Sequence, residues 1–302
     1  MKKIQIFSDS CCDLDTKIRK DFGIEYLKMG ISYDDKVFNA SLDWDEYSVD
    51  DLYGTLRSGT RVFTAQVHAD QIRERFTACL SAGMDVVYIA APLALSASVE
   101  AARGVARALK TAFPDNEIYI VDSLSSTLGL GLLTVDAAKM RDKGKSAKEI
   151  AEYFEKNKYN LVHWTTVDDL QYLKRAGRVK ASAAFFANVL NLKPVMTSDM
   201  NGMNFAYAKA KGRKKAMSML IDHITAEVIN PENQTVYISH ADCYEDALFL
   251  KEEIMQKVKF RDCYINYMGP ILGASAGPGS LGMFCMGKDR RKLFENETAK
   301  YS

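Results

Sequence analysis

Hydrophobic and polar positions along the chain follow two rhythms. Short apolar runs of strand length alternate with stretches in which apolar residues recur every three or four positions, as on a helix with one buried face. The first run covers residues 3–7 and ends at Ser8-Asp9-Ser10. A helix begins near Thr16, with Gly23 as its C-cap. Residues 24–33 read as extended, turning at Asp34-Asp35. Ser48 caps a helix over 49–58 closed by Gly59, and a helix over 71–81 is closed by Gly83. Strands over 85–91 and 117–121 then alternate with helices over 97–110 and 126–141. Ser146 with Glu149 makes a capping box for the helix after them. This is one βα series, the pattern of a mainly parallel sheet.

A second series starts near Asn160. A strand over 161–167 is followed by Asp168, read as the N-cap of a helix over 169–175, with a break at Ala176-Gly177. Asn201-Gly202, between Val195-Met196-Thr197 and residues 203–208, is a β-hairpin signal, so this half carries antiparallel pairing in a mixed sheet. Helices over 214–228 and 245–258 and strands over 235–239, 264–268 and 281–286 complete it. Polar residues at 156–160 separate the series. The expected fold class is α/β, with an N-terminal domain over 1–158 and a C-terminal domain over 159–302.

Composition narrows the functional classes. Of 302 residues, 47% are hydrophobic and 26% charged, which suits a chain with a sizeable core. Forty basic residues against thirty-nine acidic ones give a net charge of +1, so no global field favours nucleic acid or an anionic membrane. No stretch reaches the roughly 18 apolar residues of a membrane span, and the apolar run after Lys3 is too short for a signal peptide. A cytoplasmic chain is expected. The six cysteines show no C-x-x-C pair, and the four histidines lack metal-ligand spacing, so neither a disulfide framework nor a metal is expected.

Two literal motif matches lead little further. Gly277-Pro278-Gly279-Ser280-Leu281-Gly282 satisfies G-x-G-x-x-G, but a strand follows where a dinucleotide site needs a helix, so it reads as a tight turn. Gly273-Ala274-Ser275-Ala276-Gly277 satisfies G-x-S-x-G, the nucleophile elbow of serine hydrolases. No histidine follows His240, so a triad in that order is impossible, and Ser275 in this motif is the one argument for an esterase as the alternative function.

Hydroxyls and small residues also stand where α/β folds bind ligands, beyond the ends of strands: Ser8-Asp9-Ser10, Thr64, Ser96 and Asp122-Ser123. Such residues commonly cap helices. Together they would line a crevice of neutral donors suited to a carboxylate. The apolar segment 181–190, with Phe185 and Phe186, reads as core at helical spacing.

These residues bring a resemblance into view. Asp9-Ser10-Cys11-Cys12-Asp13-Leu14, Thr64-Ala65-Gln66, Leu95-Ser96-Ala97-Ser98, Asp122-Ser123, Asp168-Asp169-Leu170-Gln171-Tyr172-Leu173 with Gly177-Arg178, Leu192-Lys193-Pro194 and Gly277-Pro278-Gly279 resemble the DegV family in order and spacing, over nearly the whole chain. The resemblance implies two α/β domains with a long-chain fatty acid between them. It also implies a lipid-binding subunit of a bacterial fatty-acid kinase, without turnover, catalytic residue or cofactor of its own. An ATP-binding partner subunit would phosphorylate the carboxylate. The family's head-group residues fall on Thr64, Ser96 and Ser275, and its partner-docking arginine on Arg178. Ser275 stands where relatives commonly carry histidine, Ala65 and Val67 replace a Ser and a Pro, and Ala90-Ala91-Pro92-Leu93 replaces a Ser-rich stretch. A wetter head-group site, less dependent on pH, is the expectation.

Overall fold

The computed structural model describes residues 2–180 and 191–291, which leaves the segment with Phe185 and Phe186 outside the described residues. The continuous apolar runs become a four-stranded parallel sheet of β1 (Ile4–Asp9), β2 (Ile24–Leu27), β6 (Asp85–Ala90) and β7 (Ile118–Asp122), in the order β2-β1-β6-β7. Every residue of β6 is buried, as in a strand covered on both faces. The helices α3 (Ala69–Ser81) and α4 (Ser98–Leu109) pack on each other and on this sheet, as do α5 (Thr127–Asp142) and α6 (Ala147–Asn157).

The stretch read as one extended segment over 24–33 is divided between two sheets. The Ser10 hydroxyl accepts the Met29 N–H at 2.9 Å and donates to the Ala40 carbonyl at 2.6 Å, which bends the chain away after β2. Beyond the bend, β3 (Gly30–Tyr33), β4 (Lys36–Asn39) and β5 (Phe63–Ala65) form a small antiparallel sheet in the order β4-β3-β5. Thr64 sits on its edge, opposite Ile31.

The later strands form a mixed seven-stranded sheet in the order β13-β12-β14-β8-β10-β11-β9. Its members are β8 (Leu161–Thr166), β9 (Val179–Lys180), β10 (Leu192–Ser198), β11 (Asn204–Lys211), β12 (Thr235–His240), β13 (Asp262–Tyr267) and β14 (Leu281–Met286). The Asn201-Gly202 signal is realised between β10 and β11. Gly202 takes φ +82°, and the Asp199 carboxylate accepts the N–H groups of Asn201 and Met203. On β14 the strand's period of two sends Leu281, Met283 and Cys285 into the core beneath α8 (Arg213–Glu227) and α9 (Tyr244–Lys257), and Phe284 into the core shared with the parallel sheet.

Between the two sheets runs α5, apolar on all sides and buried at every residue from Thr127 to Val135. Its glycines permit the approach. A Cβ on Gly129 would lie 2.7 Å from the Phe284 ring, and one on Gly131 would lie 2.5 Å from the Cys12 carbonyl oxygen. Among the described residues no helix is long and apolar enough to cross a membrane.

Two expectations change. Asp168 does not cap the helix after β8. That helix, α7, is Gln171–Ala176, the Asp169 carboxylate accepts the Gln171 N–H, and Asp168 is drawn instead into ion pairs with Lys193 and Arg213. Ser275 lies not in a glycine-rich turn but in a short helix, α10 (Pro270–Ala276), opened by Pro270 and ended by Gly277 at φ +82°.

Candidate functional site

The ends of both sheets, the start of α5 and the helix α10 surround a cavity of ≈ 220 Å³. Much of its wall is apolar, with Met29, Leu95, Val167, Leu173, Met196 and Leu272 among the lining residues. The four residues singled out from the sequence, Thr64, Ser96, Ser275 and Arg178, all line it. A second pocket of ≈ 130 Å³ shares Thr64, Arg178 and Ser275 with the first, so these three mark the junction where the cavity opens outward.

Local structure explains each placement. Thr64 is carried by the edge strand β5. Ser96 lies in the turn after β6, where the Leu95 and Ser96 N–H groups both donate to the Pro92 carbonyl at 2.9 Å. Its hydroxyl accepts the Ser98 N–H at 3.3 Å and lies 3.0 Å from the Ser98 hydroxyl, which in turn accepts the Val67 N–H at 3.1 Å. With Ser98 donating to Ser96, the Ser96 hydrogen is left for a ligand. Among the described residues no protein group bonds the Thr64 or Ser275 hydroxyl.

Arg178 follows the left-handed C-cap Gly177, at φ +70°, and its N–H closes on the Leu173 carbonyl at 3.0 Å. Its guanidinium donates to the Leu95 carbonyl at 3.1 Å and to the Ala176 carbonyl. The side chain is therefore a half-buried part of the cavity wall, held by neutral acceptors, with N–H donors to spare.

Other strand-end groups are spent on the fold. Ser8 donates to the Ile89 carbonyl at 3.0 Å. Asp9 accepts the Tyr88 hydroxyl at 2.7 Å and the N–H groups of Ala91 and Cys11, each at 2.9 Å. Asp122 accepts the N–H groups of Leu93 and Leu124, and Ser123 donates to the Ser125 carbonyl. None of these four lines the cavity.

Two lining residues with buried, unpartnered hydroxyls escaped the sequence reading. Thr127 and Thr166 are buried, and neither hydroxyl has a partner with full hydrogen-bond geometry. Thr166 ends a strand, so the rule that picked Ser96 reaches it as well; Thr127 has no such mark. The Thr127 hydroxyl also stands beside Asp13, a fully buried carboxyl. Burial pushes the Asp13 pKa up to about 8, against a smaller downward pull from the Thr127 hydroxyl and the Gly269 N–H.

The geometry does not assemble a hydrolase. Ser275 is inside α10, away from any strand-to-helix elbow, and no histidine bonds its hydroxyl among the described residues. His240 accepts the Cys243 N–H and has its pKa lowered to about 4 by burial.

Comparison with known proteins places this arrangement. Residues 3–288 match a family described as "Uncharacterised protein, DegV family". A DegV domain-containing protein of Clostridium perfringens is 37% identical over 287 residues, covering 95% of this chain and 98% of that one. A Thermus thermophilus DegV family protein, whose structure is described by its fatty-acid binding, superposes with TM-score 0.84 at 23% identity, covering 95% of this chain and all of that one. The Streptococcus pneumoniae fatty acid kinase (Fak) B3 protein, solved with linoleic acid, superposes with TM-score 0.81 at 19% identity, over 95% of this chain and 100% of that chain. With the matched region running nearly end to end, the chain belongs to the DegV family.

Proposed function

We propose that this protein binds a long-chain fatty acid in the cavity between its two sheets and presents the carboxylate, at Thr64, Ser96 and Ser275, to an ATP-binding kinase subunit. The observation that carries the reading is one apolar cavity whose outward junction collects hydroxyls and a single guanidinium. Each methylene buried contributes about 0.8 kcal/mol, so the tail supplies most of the affinity while the hydroxyls orient the head. The fatty acids of the Thermus and pneumococcal relatives support it.

In this reading the chain has no turnover of its own. A carboxylate oxygen attacks the γ-phosphorus of ATP held by the partner, the new P–O bond forms, and the P–O bond to ADP breaks. Arg178 stands between the ligand head and the surface the partner approaches, where it serves docking. The same proposal divides the chain into domains over 1–158 and 159–302 and sets it in the bacterial cytoplasm, where ATP is supplied.

The test is reconstitution with the ATP-binding subunit, magnesium ATP and a fatty acid, trapping acyl phosphate with hydroxylamine. Acyl hydroxamate formed only when both proteins are present is expected. Release of acid from activated esters by this chain alone, abolished in Ser275→Ala, would replace the reading with the esterase.

A further inference from the structure

A buried positive charge without a counter-charge stands at the start of α5. Among the described residues three lysines and arginines are buried: Arg19, Lys158 and Arg290. Arg19 pairs with Asp43 and Lys158 with Glu155, whereas Arg290, only 4% exposed, has no carboxylate at ion-pair distance among the described residues. Its guanidinium donates to the Ser198 hydroxyl at 2.7 Å and to the Leu124 carbonyl at 3.5 Å, and its Nε–H meets no acceptor. Burial lowers its pKa to about 10, which still leaves it charged at neutral pH. Water and salt answer the charge of an exposed arginine. A buried one is costly unless a negative charge meets it.

The neighbouring carboxyls are committed elsewhere. Asp199 is paired with Lys180 and Asp289 with Arg291, and Asp122 accepts the N–H groups of Leu93 and Leu124. Asp13, beside the Thr127 hydroxyl, keeps its proton at neutral pH because burial raises its pKa to about 8. Donors, by contrast, collect here. Leu124 leads into α5, a helix of 16 residues whose N-cap Ser126 makes no side-chain cap bond and whose first turn holds no acidic residue. The N–H groups of Thr127 and Leu128 meet no acceptor among the described residues. The Ser125 hydroxyl, in a residue 4% exposed, is unpartnered and lies against the same turn, 2.3 Å from where a Cβ on Gly129 would stand. His163, 6% exposed, leaves its Nδ1 unpartnered, and burial, followed by the Arg290 charge, keeps its imidazole neutral. The positive end of the helix dipole adds to the guanidinium.

We propose that the start of α5 holds a small monovalent anion of the halide class, with Arg290 as its counter-charge and the Ser125 hydroxyl, the first N–H groups of α5 and His163 as its remaining donors. A halide brings the single charge the guanidinium lacks and accepts from any direction, which suits a closed and mixed set of N–H and O–H groups. Arg290 reaches Ser198, at the end of β10, on one side and Leu124, beyond β7, on the other. The ion therefore ties the mixed sheet to the parallel one, and its binding is read in stability. The inference is independent of the acyl ligand.

The test follows thermal unfolding of the full chain at constant ionic strength while sodium chloride replaces sodium gluconate. The parent's midpoint is expected to rise along a saturating one-site curve, by about 5 °C at chloride about a hundredfold above the dissociation constant. Arg290→Met should lose this dependence. Ser125→Ala should need about tenfold more chloride for the same rise, and it keeps the test readable if Arg290→Met does not fold. Crystals of the parent grown in sodium bromide locate the ion directly, with an anomalous peak expected at the start of α5, within hydrogen-bond distance of Arg290. A midpoint indifferent to chloride, the same chloride dependence in Ser125→Ala or Arg290→Met as in the parent, or bromide found on the surface alone would overturn the proposal.

Discussion

Two groups of small polar residues in this molecule look alike in sequence. Ser8, Asp9 and Ser10 are buried with every side chain hydrogen-bonded inside the protein, to Ile89, Tyr88, Ala91, Cys11, Met29 and Ala40. Thr64, Ser96 and Ser275 line a cavity; the hydroxyls of the first and last have no protein partner among the described residues, and the second has a hydrogen to give when Ser98 is the donor of their shared bond. Saturated groups of this kind fix a fold, because a ligand would have to break bonds the protein already makes. Unsaturated ones at a cavity wall cost the empty protein little and give a ligand its orientation.

The largest effect is expected in the first group. Asp9→Ala leaves the Tyr88 hydroxyl and two N–H groups without an acceptor, at about 1–3 kcal/mol each, so a total loss of at least about 3 kcal/mol is expected in urea unfolding. A loss under about 1 kcal/mol would erase the distinction between the groups.

Asp13 sharpens the comparison, being buried yet neither saturated nor open to a ligand. Its folded pKa is raised to about 8, above the ordinary carboxylate value, so the folded state keeps a proton that the unfolded state has lost. Stability therefore falls as pH rises from about 4 to about 8, and is flat above that. Asp13→Asn should flatten the profile, with the two proteins diverging by on the order of a few kcal/mol over this window. Parallel profiles would show that Asp13 is not the group that titrates.

For the second group the expected loss is in binding. Thr64→Val and Ser96→Ala should each weaken fatty-acid affinity about tenfold, while the unfolding midpoint moves little. An acyl alcohol of the same length serves as control, and equal losses for acid and alcohol would remove the hydroxyls from the head-group site. The smallest effect is at Ser275, beside open space in the cavity. Ser275→His should tighten fatty-acid binding a few-fold at about pH 6 and less at pH 8, since an imidazole of pKa about 6.5 is charged only at the lower pH. A change independent of pH would deny Ser275 a place near the carboxylate.

Much of the fold was legible because α/β proteins write it in local signals. Ser48 caps its helix and Ser146 forms the capping box with Glu149, as their neighbours implied, and Asn201-Gly202 turns the hairpin. Signals that depend on distant partners were not legible. The bend at Met29 is set by Ser10, nineteen positions earlier; Asp168 is taken from its helix by Lys193 and Arg213. Around α10, three glycines and two alanines in ten residues from Gly269 to Pro278 gave no helical period to read. The site divided in the same way. Thr64, Ser96, Ser275 and Arg178 came through resemblance and strand position, whereas sequence could not separate Ser8-Asp9-Ser10 from them, because saturation is a property of the assembled neighbours.

The most direct test of the central claim is native mass spectrometry of the purified chain, before and after organic extraction and after titration with oleic acid. One long-chain fatty acid per chain, carried from the cell or taken up to a saturating one-to-one complex, is the predicted result. A chain that retains its bare mass, with no saturable uptake of fatty acids of any length, would contradict the claim that the cavity between the sheets is an acyl site.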